Sequence, residues 1–533
     1  MKEKLIPPTV PQENQSPLVK QLLEFIEHQS LIIHQQAEEI QKLKDEIARL
    51  KKQPPRPKIK PSCLGKKKND SSASSRKKRP GSKKKSKTAQ LKIHETKPIE
   101  PETIPPGSQF KYYKDFIVQD IKIQAFNTRF RLKVYETPDG GCVAGELPPE
   151  YNGKHFGPPL IEFILYQYYH CHVTQPLLLE QLKEFEISIS AGQLNNLLIE
   201  GKDQFHQEKD RILSVGLEVS PYINVDDTGA RHKGKNGYCT HIGNDFFSWF
   251  ESTGSKSRVN FLKLLRAGHS DFAINMDAIA YMQANRLPQT AFDAINGNLG
   301  MVFANDAQWS HFLAENGIVK DRHVQIATEG ALVGSIIEHG LSEHLVIVSD
   351  DAGQFNVLLH ALCWIHANRA IDKIIPFTDP GKKDLDTVKD QVWQLYEGLK
   401  AYKQNPHSSD KIRLNDMFDE IFTQTTASAT LNLALKRIYR NKSELLLVLE
   451  RPDIPIHNNG AENAIREYVK KRKISGGTRS DTGRRCRDTF TSLKKTCRKL
   501  GVSFWQYLKD RIENIGQISD LPDLIRQQTL KPG

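Results

Sequence analysis

The chain has 533 residues, a formal net charge of +13 and an isoelectric point of about 9.1. At roughly 150 residues per domain this length suggests about three or four units, and 38% hydrophobic residues is low for one globular body. Seven cysteines without a C-x-x-C pair argue against a disulfide framework and a four-cysteine zinc site, and the absence of any run of 18 apolar residues argues against a membrane span.

The start, MKEKLIPPTVPQENQ, has no apolar core and does not read as a secretory signal. Residues 17–52 then carry a heptad pattern. Val19, Ile26, Ile33, Ile40 and Ile47 fall seven apart, and Leu22, Leu43 and Leu50 share the second register with Gln29 and Gln36. β-Branched residues in the first register with leucines in the second favour a parallel two-stranded coiled coil, so a homodimer or higher assembly is expected through residues 1–52.

Residues 53–108 are rich in Pro, Ser and Lys. Between Lys51 and Lys97 there are 18 Lys/Arg against Asp70 and Glu95, a local charge of +16, which leaves −3 for the rest of the chain. Such a segment cannot bury enough apolar surface to order itself. It reads either as a polycationic arm that adds salt-sensitive, sequence-blind DNA affinity or as a solubilising linker.

Folded sequence is expected from 109. Residues 116–123 and 129–135 have strand composition, and 158–171 and 175–186 are helical. The stretch 184–202 reads as the second half of a helix-turn-helix or as a plain helical hairpin, with Ser190 as N-cap. Residues 109–215 are therefore taken as an N-terminal, DNA-binding helical domain.

From 216 the pattern changes. PYINVD (221–226) is an apolar strand ending in acids, and Gly237–Ile242 and Phe246–Glu251 are two strands joined by Gly243-Asn244-Asp245. A helix follows at 256–267. LVIV (345–348) is a second buried strand ending in acids. Residues 354–375 and most of 383–450 are helical, and further helices follow His457-Asn458-Asn459, at about 485–499 and at 503–514.

Two apolar strands thus run into paired aspartates. Central parallel strands present functional groups at their carboxyl ends, and an oxygen ligand there suits Mg²⁺. An Asp in that place is equally a turn former. Glu462 falls in the first turns of a helix capped by Asn458 or Asn459, with Arg466 at i+4; spacing leaves both a surface ion pair and a metal ligand open. Cys363 and His366, and His170, Cys171 and His172, read as packed or surface residues rather than metal ligands.

The strings VDDTGARH, VSDDAGQF, CWIHANR and NNGAENAIR followed by KRKISGG, with the closing run SGGTRSDTGRRCRDTFTSLKKTCRKLGVSFWQYLKDR, resemble the insertion-sequence-66 family of bacterial DDE transposases over roughly residues 108–515. The resemblance implies an α/β fold. It has an RNase H-like core, a mixed sheet with flanking helices, formed by 216–369 and 457–533, with a helical insertion at 370–456 before the last acid. It implies Asp226, Asp350 and Glu462 as catalytic, metal-binding carboxylates, with Asp351 as the register alternative to Asp350. Two Mg²⁺ or Mn²⁺ ions about 3.5–4 Å apart would clamp attacking and leaving oxygens during strand cleavage and 3′-hydroxyl strand transfer. The partners implied are double-stranded DNA, both element ends and target, and no membrane; the location implied is the cytoplasm, at the nucleoid. Asp227 stands where the family often has Glu. The cysteines of the family's N-terminal zinc motif are missing, so no such zinc site is expected.

From Arg466 to Lys499 there are 13 Lys/Arg against Glu467, Asp481 and Asp488. Arg466, Lys470, Lys471, Arg472, Lys473, Arg479, Arg484 and Arg485 are the candidate backbone-phosphate contacts, with a solvated helix face as the alternative. A degenerate, non-catalytic DNA-binding copy and a structure-specific nuclease are the competing functions.

Overall fold

The computed structural model describes residues 91–148, 151 and 153–530, with scattered positions between 19 and 36 that are helical. The expected coiled coil and most of the expected basic linker therefore lie outside the described residues. The chain divides into two units. One comprises Arg56–Thr128 with Phe185–Ile187, and the other holds Arg129–Glu184 and Ser188 onward.

In the first unit, residues 91–128 form neither helix nor strand. The strand expected at 116–123 is absent. Its apolar residues are exposed, Phe116 at 90% and Ile121 at 76%, and without a partner strand alternation alone stabilises nothing.

The second unit opens with a short hairpin of β1 (Val134–Glu136) and β2 (Cys142–Ala144). Helix α1 (Pro158–Leu165) runs into a π-helical turn at Tyr166–His170, followed by α2 (Gln175–Glu184) and α3 (Ala191–Ile199). Ser190 caps α3 in a capping box with Gln193, as its sequence position suggests. Helix α4 (Asp203–Val219) leads into the sheet.

The sheet has five strands: β3 (Tyr222–Gly229), β4 (Tyr238–Gly243), β5 (Ser248–Thr253), β8 (Val346–Ser349) and β9 (Leu359–Leu362). Their order is β5-β4-β3-β8-β9. The first three form an antiparallel meander, and β8 and β9 run parallel to β3. Between β5 and β8 lies a helical lobe whose organisation the sequence did not foreshadow. It contains α5 (Arg258–Leu265), β6 (Phe272–Ala273), α6 (Met276–Ala284), α7 (Gln289–Asn296), β7 (Val302–Phe303), α8 (Asp306–Glu315) and α9 (Asp321–Glu338). Helix α9 passes so close to the β6–α6 segment that a Cβ on Gly334 would lie 2.5 Å from the Ala273 carbonyl oxygen.

After β9 come α10 (Trp364–Asp372), α11 (Asp379–Gln404), α12 (Ser408–Thr423), α13 (Ala429–Arg440) and α14 (Lys442–Leu445). Val388, Val392, Leu395 and Leu399 recur at helical spacing on α11 and are buried with Leu414 and Phe418 of α12 and Leu431 and Leu435 of α13. This core is continuous with Val346, Val348 and Ala361 of the sheet, so the helical segment is anchored on the parallel half. The expected helix at 354–375 is corrected. Residues 359–362 form β9 instead, and the helix begins at Trp364. An apolar run of that length does not by itself distinguish a buried strand from a helix.

The chain closes with α15 (Asn459–Ser475), α16 (Asp481–Lys499), α17 (Phe504–Ile512) and α18 (Leu521–Thr529). Ala464, Ile465 and Tyr468 of α15 pack on Cys239 and Phe250. Lys209 of α4 pairs with Glu251 and lies over the Trp249 ring at 4.5 Å. Since Trp249 and Glu251 alternate with Phe250, α4 and α15 cover opposite faces. Helix α16 lies along the open edge of β5. Ser248, Phe250 and Ser252 donate their backbone N–H groups to Thr496 Oγ1 (3.1 Å), Ser492 Oγ (2.9 Å) and Asp488 Oδ2 (2.9 Å). Residues two apart on a strand meet residues four apart on a helix, so side chains satisfy the edge donors that another strand would otherwise pair. Ser492→Val should leave the buried Phe250 N–H without a partner and cost about 1–3 kcal/mol, measured as a lower urea midpoint at unchanged m-value.

Candidate active site

Strands β3 and β8 are parallel neighbours paired Tyr222–Val346, Ile223–Ile347 and Asn224–Val348. Extending that register by two residues sets Asp226 level with Asp350. Asp226 lies inside β3, which runs on to Gly229, and Asp350 just past the end of β8, where the order of the sheet reverses, the usual place for a ligand crevice. Asn224 and Asp226 share the face that α15 covers.

Helix α15 approaches β3 closely at its first turn. A Cβ on Gly460 would lie 2.9 Å from Asn224 Oδ1. Of the two expected N-cap candidates Asn458 holds the position, but its side chain makes no cap bond. It turns inward, donating to the Val225 carbonyl (2.7 Å) and accepting from Asn224 Nδ2 (3.0 Å). Its backbone N–H points at Cys363 Sγ at 3.1 Å. Asn458 is 1% exposed. It ties β3, the β9–α10 junction and α15 together, and α15 presents Glu462 in its first turn.

The electrostatics record the result. Burial pushes the Asp226 carboxyl up to about 7, and Asp350, Asp227 and Glu462 add repulsion, partly countered by the Asp227 N–H at 2.8 Å. Asp227 is also raised, chiefly by burial, but its oxygens are engaged by Thr240 Oγ1 (2.6 Å) and Gln354 Nε2 (2.9 Å). Asp350 accepts the Ala352 N–H at 3.2 Å. Asp351 is exposed and pairs with Arg437 at 2.7 Å.

Glu462 Oε1 lies 3.3 Å from Arg369 Nη2 and 3.6 Å from His366 Nε2, and those two side chains contact each other at 2.7 Å. His366 and Arg369 therefore support Glu462. Among the described residues Glu462 has no ion pair with Arg466. The ligand atoms of Asp226, Asp350 and Glu462 do not all fall within 4.8 Å of one another; among the described residues His269, Asp271 and His339 form the group that does.

The basic candidates separate. Arg466, Lys470, Lys473, Arg479 and Arg485 are exposed. Arg472 is half-buried and reaches back to the Gly229 carbonyl and to Thr228 Oγ1 at 3.1 Å. Arg484 and Arg485 line an open pocket with Lys202, Lys209 and Glu251. Lys471 is corrected. It is 3% exposed, donates to the Tyr168 carbonyl at 2.7 Å and lies 3.5 Å over the Tyr168 ring. Burial, then Arg487 and Lys494, lower its pKa to about 7, so it holds α15 to the π-helical turn rather than facing a phosphate. His172 bonds Glu467 at 2.7 Å and His170 stacks on Tyr166.

Sequence reasoning missed Asn224, Thr240, Gln354 and the inward role of Asn458. Polar residues inside or beside apolar runs were the available signal.

A family model described as "Transposase IS66 family" matches residues 332–485, a span that contains Asp350 and Glu462 and begins after Asp226. The "Uncharacterized protein y4jO" of Sinorhizobium fredii (strain NBRC 101917 / NGR234) is 44% identical over 308 residues, covering 57% of this chain and 96% of that protein. No described helix is long and apolar enough to cross a membrane.

A carboxyl raised on folding contributes stability below its unfolded pKa that is lost as pH rises through its folded pKa. For Asp226 that window runs from the ordinary value of 3.8 to about 7. Asp226→Asn should therefore stabilise the metal-free protein at pH 8 by on the order of 2 kcal/mol after solvent screening. The gain should fade by pH 4. Urea denaturation at both pH values checks this; equal shifts would contradict it.

Proposed function

The chain belongs to the transposase IS66 family, and from that premise we propose that it is a DNA transposase whose Asp226, Asp350 and Glu462 are the catalytic carboxylates of an RNase H-like core. The observation that carries the reading is that acids from β3, the end of β8 and α15 come near enough for Asp350 and Glu462 to add their repulsion to the burial that raises Asp226 to about 7. Repulsive carboxylates gathered beside a strand-end crevice fit a hard divalent cation, which takes oxygen ligands. Asp226, Asp350 and Glu462 are the residues that would hold such ions, a pair in the two-metal chemistry of phosphoryl transfer. The mixed sheet, with its first strand central and the two aspartates on adjacent parallel strands, supports the RNase H-like assignment.

Bound Mg²⁺ or Mn²⁺ would supply Lewis-acid polarisation of phosphate and water at this position. The chain's own residues set the stage. Asn458 fixes the α15 turn that carries Glu462 over β3. Arg369 and His366 orient Glu462. Thr240 and Gln354 hold Asp227 away, leaving Asp226 and Asp350 facing the crevice. Asp350 is preferred over Asp351, whose carboxylate is committed to Arg437.

The substrate proposed is double-stranded DNA, at element ends and target. Arg466, Lys470, Lys473 and Arg479 on and after α15 are its proposed phosphate contacts, with Arg484 and Arg485 beyond them. Such contacts position a duplex without reading it.

Single Asp226→Ala, Asp350→Ala and Glu462→Ala variants should each lower Mg²⁺-dependent cleavage and 3′-end joining by about a thousandfold, the equivalent of about 4 kcal/mol. Activity that survives all three removes the assignment. Cutting without joining would make the protein a nuclease instead. Replacing Lys470 and Lys473 by Ala should weaken binding evenly across sequences and flatten the log–log salt slope by about 0.9 per lost contact, while Lys471→Ala should lower stability and leave the slope unchanged.

A further inference from the structure

The helical lobe between β5 and β8 carries a ligand set unrelated to the carboxylate crevice. Helix α5 ends at Leu265, and the chain then turns through Ala267 at φ 51° and Gly268 at φ 99°. Left-handed backbone at a residue with a Cβ is strained, and such strain persists where the surroundings impose it. The turn delivers His269 against His339, the residue that ends α9. The two imidazoles stack with centroids 3.5 Å apart and planes 12° from parallel. Asp271, just before β6, bonds His339 Nε2 through Oδ1 at 2.8 Å. Arg266 pins the Asp271 carbonyl at 2.6 Å.

His269, Asp271 and His339 each offer one ligand atom, and these lie within 4.8 Å of one another. Around a tetrahedral Zn²⁺ with bonds of about 2.0–2.1 Å, ligand atoms sit about 3.4 Å apart, and the two stacked rings close on one ion once they turn out of parallel so that their lone pairs converge. We propose that His269, Asp271 and His339 form a binding site for one first-row divalent transition metal, with Zn²⁺ the best fit. Two borderline imidazole nitrogens beside one carboxylate, unlike the all-oxygen set of the three acids, favour zinc, cobalt or nickel over magnesium. Burial opposes the Asp271 carboxylate, but the His339 bond and its own backbone N–H outweigh it and keep its pKa below the ordinary value. The ligand is thus already ionised. His339 also stands at the negative end of an 18-residue helix dipole. His269 and His339 are exposed, so water completes the coordination. The ion would staple the strained α5–β6 turn to the end of α9, a structural rather than catalytic role.

The test uses the full chain with Asp226 and Asp350 both changed to Asn, which weakens the crevice as a competing site. Co²⁺ titration should give visible d–d bands saturating at one ion, and Zn²⁺ should displace it. His269→Ala and His339→Ala should each weaken Co²⁺ binding by at least about tenfold. As a readout that needs no further substitution, Zn²⁺ should protect His269 and His339 from diethyl pyrocarbonate while exposed His311 stays reactive. Unchanged bands in both His variants, or no protection, overturns the proposal.

Discussion

The arrangement depends on one buried amide. Asn458 joins three pieces of chain that are remote in sequence: β3 through the Val225 carbonyl and Asn224, the β9–α10 junction through Cys363, and α15 through its own backbone. A buried amide is costly unless its donors and acceptor are paired, and here pairing is possible in one register only. Slide α15 by one residue and the amide loses the Val225 carbonyl while Glu462 leaves the sheet face. Gly460 enforces the same register sterically, because no Cβ fits against Asn224. Polar specificity and steric exclusion thus select a single placement for the third acid.

Charge is divided by depth around that placement. The acids lie within β3, just past β8 and on the first turn of α15, and the cations that flank them fall into two classes. Lys471, Lys494 and Arg472 are anchors, committed to the Tyr168, Tyr169 and Gly229 carbonyls. Arg466, Lys470 and Lys473 are exposed on the outer side of the same helix, with Lys470 3.7 Å from Glu467. The buried lysines are tolerated because each ammonium has an oxygen partner, and Lys494 is also balanced by Glu467 at 2.7 Å. A run of basic residues is therefore partly mortar and partly surface.

Much of this was readable from residues alone. The strand that carries Asp226, the strand that leads into Asp350, the hairpin turn at Asn244 and the helix carrying Glu462 follow from apolar runs and punctuation, although β3 runs past the expected end at Asp226 to Gly229. Other features were not readable, for definite reasons. LLHALCW fits strand and helix periods equally, so β9 emerged only as the parallel partner of β8. Segment 116–123 has strand alternation without a neighbour to pair with. The lysine run at 470–473 has uniform chemistry, and helical phase alone turns Lys471 inward. The roles of Asn224 and Asn458 are properties of a contact between segments far apart, which no local window contains. The motif resemblance, rather than spacing, singled out the three acids, and the sheet register then sets Asp226 level with Asp350.

The helix lying along β5 has one more consequence. A sheet edge with open N–H groups can recruit a strand from another molecule, and here Asp488, Ser492 and Thr496 occupy those donors from within the chain. Because side-chain oxygens replace a neighbouring backbone, the cover carries no strand direction and offers no further row of donors to the next molecule. Growth of the sheet by addition of like copies stops at β5. An assembly of several copies is therefore not built by strand addition at β5, and that edge of the sheet stays mechanically independent of how many copies gather.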